Sequence, residues 1–142
     1  MTKFKTLIGL ALLAFAGAAQ AADLTVHKSP WCGCCAKWID HVAQHGFTVK
    51  VIETEQIAAV KKRLGVPDSL GSCHTSQVGG YFVEGHVPAA DIQRLLKLKP
   101  KARGIAVAGM PAGSPGMETS NPQPYSTMIV DKAGKVRLFA RH

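Results

Sequence analysis

The chain has 142 residues, and its 17 lysines and arginines against 9 acidic residues give a formal net charge of +8. That length holds one compact domain after a leader and excludes a second. The densest basic cluster, Lys97 to Arg103, carries no interleaved aromatics, which argues against a nucleic-acid surface that stacks bases.

Lys3 and Lys5 give the chain a positive start, the run from Leu7 to Ala19 is apolar, and Ala19-Gln20-Ala21 has the small-x-small pattern of a signal-peptidase site. An apolar run of about a dozen residues falls short of the roughly 20 that a spanning helix needs. The reading is a cleaved signal peptide over residues 1–21, with an uncleaved membrane anchor as the alternative. Its removal leaves residues 22–142 as a single domain with 15 basic and 9 acidic residues, a balance of about +6. No lipobox cysteine stands at the cleavage site and no later segment is apolar enough to span. The mature chain is therefore expected to be without a membrane span, in a bacterial periplasm.

In chain order, Leu24 to His27 alternates apolar and polar as a short strand. Ser29-Pro30-Trp31 breaks it. Cys35, Trp38, Ile39 and Val42 recur at helical spacing between Cys32 and His45, and Gly46 supplies a stop. Phe47 to Ile52 is a second strand and Ile57 to Leu64 a second helix. Asp68 to Gly80 is read as a loop crossing back to the active end. Tyr81 to Glu84 is a third strand, Ala89 to Leu98 a helix with Pro88 at its start, and Ile105 to Val107 a short strand. The Pro- and Gly-rich stretch Gly109 to Pro124 is a long irregular loop of the kind that is usually functional or mobile. Tyr125 to Val130 and Lys135 to Phe139 form a hairpin. The alternation predicts an α/β fold: a mixed sheet flanked by helices, with a C-terminal hairpin extension.

The chemistry lies in Trp31-Cys32-Gly33-Cys34-Cys35, between the first strand and its helix. Structural disulfides in small exported domains close long loops, whereas three thiols within four residues close almost nothing. Cys32 and Cys35 form a Cys-x-x-Cys pair at a helix N-terminus, where unpaired N–H groups and the helix dipole favour the thiolate. That makes them candidate catalytic residues, with an inert disulfide as the alternative. Thiolates and thioethers select Cu(I). Structural zinc would also accept four thiolates, but the adjacent Cys34 and Cys35 depart from paired Cys-x-x-Cys knuckles.

Residues 24 to 46 resemble thioredoxin and glutaredoxin, and Val78 to Gly85 is similar to the strand and Gly turn that follow the cis-proline of that family. No proline stands near Thr75; Cys73-His74-Thr75 occupies the place. Because the family's loop lies against the Cys-x-x-Cys, the resemblance implies a fourth thiol, Cys73, beside the other three.

The mature chain also resembles the CopG-like periplasmic proteins, a thioredoxin-like family associated with bacterial copper resistance. The resemblance is carried by Ser29 to Cys35, Ser72-Cys73-His74-Thr75, Tyr81 to Ala89, Gly109-Met110-Pro111 and Gly113 to Glu118. It implies copper as Cu(I)/Cu(II), in one ion or a multinuclear thiolate cluster, held by Cys32, Cys34, Cys35 and Cys73. Copper ions and periplasmic copper efflux or redox proteins are the partners it implies. The leading reading is redox interconversion of Cu(I) and Cu(II) at the four-cysteine site, with metal-independent thiol–disulfide exchange and chaperoning or storage without turnover as the alternatives.

His86, a lone histidine after a Gly turn, is either a loop residue or a further ligand. His74 could ligate, tune Cys73 or face solvent. His41 and His45, one turn apart, read as a solvated face, and His27 as structural. Met110 and Met117 lie in a loop with little core to join and are candidates to approach copper or a copper-donating partner. Met128 reads as packing, and Trp31 as a shield over the thiols.

Overall fold

The computed structural model describes residues 21–142, so the predicted signal segment lies outside the described residues apart from Ala21. Seven strands form one mixed sheet: β1 (Ala22–Lys28), β2 (Phe47–Glu53), β3 (His74–Val78), β4 (Tyr81–Glu84), β5 (Ala102–Ala106), β6 (Ser126–Asp131) and β7 (Val136–Arg141). Three helices, α1 (Gly33–Gln44), α2 (Ile57–Leu64) and α3 (Ala89–Leu98), connect them. The order across the sheet is β2-β1-β3-β4-β5-β6-β7. β1 pairs parallel with β2 and β4 with β5, and the other pairs are antiparallel. This is the thioredoxin-like α/β arrangement with a C-terminal hairpin that the sequence predicts. Among the described residues no helix is long and apolar enough to cross a membrane.

Because successive strand residues point to opposite faces, neighbouring side chains feed different cores. Val83, Ile105 and Ile129 join Leu24 and Val26 against Trp38 and Val42 of α1 and Ile92 and Leu95 of α3. Phe82, Ala106 and Val130 pack on the other face with Val66, Leu70 and Leu64 at the end of α2. Helices therefore cover both sides, and the central strands are buried twice over.

One element differs in kind from the sequence reading. The segment 68–80 is not a loop throughout: it contains a short 3₁₀ turn (Asp68–Leu70) and the central strand β3. His74, Thr75 and Ser76 are fully buried polar residues, so the strand carries no hydrophobic alternation to betray it. Met128 packs against the second core as expected.

Candidate metal centre

The site stands where β1 ends and α1 begins. Cys32 is the N-cap of α1 in extended backbone (φ −81°, ψ 94°), and Cys34 and Cys35 fall in the first turn. β3 runs antiparallel to β1 with His74 opposite Lys28, the last residue of β1. Cys73, one residue ahead of β3, is thereby delivered to the same end of the sheet.

The four cysteine sulfurs lie within 4.8 Å of one another. Cys32 and Cys35 are joined as a disulfide, and Cys34 and Cys73 are free thiols on either side of it. Cys34 Sγ is 3.5 Å from Cys32 Sγ, Cys73 Sγ is 3.5 Å from Cys35 Sγ, and the two free sulfurs are 4.0 Å apart. Met110 Sδ reaches to 3.7 Å from Cys34 Sγ. Among the described residues Met110 alone brings a thioether onto a cysteine. Met117 instead lines an open groove of about 480 Å³ with Gly33, Cys34, Lys37 and Glu118.

Two imidazoles close the buried side. His86 follows Gly85, whose φ of +72° and close approach to Ser72 and the Val107 carbonyl (2.5 Å from a Cβ at that position) leave no room for a side chain. His86 Nδ1 is 2.7 Å from the Pro115 carbonyl, which can only accept, so Nδ1 carries the proton and Nε2 presents its lone pair. That lone pair meets Cys73 Sγ at 3.0 Å. His74 Nδ1 lies 3.2 Å from the same sulfur, and the Trp38 ring packs against His74 with centroids 4.3 Å apart.

Burial dominates the electrostatics. It pushes the Cys73 thiol up to about 11, with the neighbouring Cys34 adding to the effect. Burial, then electrostatic coupling to His86 and to the Lys61 ammonium, holds His74 down at about 3; burial lowers His86 too.

Behind Cys73 lies a set of residues that the sequence reading missed. Glu84 is fully buried and accepts hydrogen bonds from Lys61 Nζ, from the Ser72 N–H at 2.7 Å and from the Thr75 hydroxyl at 2.5 Å. Lys61 also donates to Thr75 Oγ1 at 2.9 Å. Buried charge of this kind persists when paired and hydrogen-bonded, and here it fixes the backbone on either side of Cys73. The available signal was a lone glutamate ending the apolar strand Tyr81-Phe82-Val83.

The loop 109–124 is tied over the site. The Ser72 hydroxyl donates to the Gly109 carbonyl, and Ser114, fully buried, donates to the Pro111 carbonyl at 2.7 Å. Gly116, at φ +86°, would set a Cβ 2.9 Å from the Trp38 nitrogen and 3.0 Å from the Cys34 carbonyl. Only glycine lets the loop approach α1 this closely.

Trp31 does not shield the thiols: it is 84% exposed, in the turn where Cys32 N–H bonds the Ser29 carbonyl. Met110 of the 109–124 loop meets Cys34 instead, and Trp38 packs on His74. His41 and His45 are not a chelating pair, since His41 Nε2 accepts the Ala89 N–H at 3.1 Å and His45 Nδ1 meets the His41 carbonyl at 2.7 Å. His27 is buried in β1.

Comparison with known proteins agrees with this architecture. A family model described as "Protein of unknown function, DUF411" matches residues 70–117, the stretch that holds Cys73, His74, His86 and Met110. No curated protein matches the chain. Two solved structures, named "Copper resistance protein copG- Form 2" and "Form 1", are each 44% identical to it. The alignments cover 86% of this chain and 98% of theirs, with TM-scores of 0.83 and 0.82. With that identity over almost their whole length, the chain belongs to the family of the copper resistance protein CopG.

Proposed function

We propose that this protein is a periplasmic copper-resistance protein that binds copper at Cys32, Cys34, Cys35 and Cys73 and interconverts Cu(I) and Cu(II). The observation that carries this reading is the convergence of four cysteine sulfurs within 4.8 Å, a soft donor set suited to Cu(I) as a single ion or a bridged cluster. Met110 extends it with a thioether at the mouth, His86 flanks Cys73, and Met117 lines the groove by which copper would arrive.

The chemistry balances within the chain. Two Cu(II) ions each take one electron from the reduced Cys32 and Cys35 thiols. A Cys32–Cys35 disulfide forms, two protons leave, and two Cu(I) ions result. Reduction of that disulfide by an external dithiol resets the pair. Cys34 and Cys73 remain thiols and keep soft donors for the product.

The test is anaerobic addition of Cu(II) to fully reduced protein, reading Cu(I) with a chromophoric chelator and mapping disulfides by mass spectrometry. Two Cu(I) per Cys32–Cys35 bond are expected. Cu(II) that binds without being reduced, or full reduction in Cys35→Ser, overturns the redox role and leaves chaperoning or storage.

The Cys32–Cys35 disulfide also favours a second reading, metal-independent thiol–disulfide exchange. It requires disulfide reductase or oxidase activity that survives chelators. Thr75, bonded to Glu84 where the cis-proline of that chemistry would stand, counts against it.

A further inference from the structure

We infer that the end of the sheet opposite the metal centre is a docking face for an anionic lipid surface. It is built from Lys97, Lys99, Lys101, Arg103, Lys132 and Lys135 around an exposed Leu98, and it does not depend on the copper reading.

Charge is divided unevenly along the chain. Residues 92–142 carry nine lysines and arginines against two acidic residues, whereas residues 22–91 carry six against seven. The topology gathers that excess at one end. β4 and β5 are parallel, so α3, which joins them, runs back to the end where β5 begins. Lys97 and Leu98 close α3 there, Lys99 caps it, and Lys101 immediately precedes β5. Ala102 pairs with Asp131, which brings the β6–β7 turn, with Lys132 and Lys135, to the same end. Arg103 fastens the two segments, donating from Nε and Nη2 to the Lys132 carbonyl at 3.2 and 3.0 Å. Glu84 and the 109–124 loop lie at the other end, with the thiols.

Nothing near this cluster neutralises it. All six cationic side chains belong to exposed residues, and among the described residues none is in an ion pair. Glu118 lines the groove beside Cys34. Asp131 spends its carboxylate inside the turn, where Oδ1 accepts the N–H groups of Ala133 and Lys135, both at 2.9 Å. The backbone is also held firmly. Lys99 is the one non-glycine among the described residues with a positive φ, +47°, which is uncommon for a residue with a side chain. The Pro100 carbonyl accepts both the Tyr81 hydroxyl and the Ala102 N–H, each at 2.9 Å. Like charges fixed together in this way repel one another and attract an anionic surface.

Two observations favour lipid over an acidic protein. Leu98 is 58% exposed between two lysines, the make-up of an interfacial anchor: ammonium groups meet phosphates while the apolar side chain enters the headgroup boundary. Ala21 and Ala22, where the predicted leader joins the domain, line a groove with Leu96 in the last turn of α3. The leader's end of the domain is thus the lysine end, and a bilayer bound there leaves the thiols facing away into water.

The test is cosedimentation of the mature protein with vesicles of phosphatidylcholine alone and of equal parts phosphatidylcholine and phosphatidylglycerol. Binding to the anionic vesicles only is expected, and it should fall as salt rises from low to physiological concentration. Lys101→Glu should weaken it roughly fivefold or more, and Lys50→Glu, the same charge change on β2, less than about twofold. Leu98→Asn should weaken it while keeping the salt dependence. All three sites are exposed, and circular dichroism verifies that each variant is folded. Equal binding to both vesicles, or equal loss in Lys101→Glu and Lys50→Glu, overturns the inference. Absence of vesicle binding overturns it too, even if the chain is retained by an acidic protein.

Discussion

Cys73 Sγ stands 3.0 Å from the Nε2 of His86, whose other nitrogen is committed to the Pro115 carbonyl. One thiol outside the Cys-x-x-Cys element is thus held between the sulfurs of α1 on one side and two neutral imidazoles on the other.

Copper affinity should rise with pH. Burial and Cys34 hold the Cys73 thiol up at about 11, so at neutral pH an incoming ion must displace its proton. Below that value, each unit of falling pH weakens binding by roughly tenfold for this one proton. Competition with a Cu(I) chelator between pH 6 and 8 measures the slope, which should lose one proton in Cys73→Ser.

Acid should destabilise the fold through His74. Its folded pKa, about 3, lies below the ordinary 6.5, so the unfolded chain binds the extra proton in between. The contribution is complete above pH 6.5 and lost as pH falls towards 3, on the order of 5 kcal/mol in all. Urea unfolding of the metal-free protein at pH 7 and pH 4.5 should show the loss in wild type and a smaller one in His74→Gln.

Glu84→Ala should cost both stability and copper. It strips the partner from Lys61 and from the Ser72 N–H. Breaking a buried pair by removing one member costs about 3 kcal/mol. The loss of support behind Cys73 should weaken Cu(I) binding by roughly 10- to 100-fold. Chemical denaturation and chelator competition on the same preparation read the two effects.

Gly116→Ala should harm the site more than the sheet. A Cβ 2.9 Å from the Trp38 nitrogen must push the loop off α1, drawing away the Pro115 carbonyl that orients His86. Weaker copper binding with a circular dichroism spectrum like the wild type's is the expected pattern. Unchanged affinity would show that the loop is a bystander.

The sheet was largely legible because its outer elements advertise themselves. Val42 and Trp38 at helical spacing, the alternation of Phe47 to Val51 and the turn of the last hairpin all mark their own ends. β3 was not, since His74, Thr75 and Ser76 are buried for chemistry and hydrogen bonding, and polar burial leaves no periodic trace. The thiol cluster followed from the spacing of Cys32, Cys34 and Cys35, and Cys73 from the family likeness. The place of His74 beside Cys73 and the support from Glu84 depend on β3–β4 pairing, which sets Thr75 opposite Glu84. Trp31 misled because adjacency in sequence says nothing about which way a turn throws its side chain.

The measurement that bears most directly on the account is Cu(I) loading of the fully reduced protein, wild type against Cys73→Ser, with copper per chain and affinity both determined. The account predicts fewer copper ions per chain and an affinity loss beyond the roughly 100-fold that removal of a merely supporting partner causes. Equal stoichiometry and equal affinity in the two proteins would contradict it.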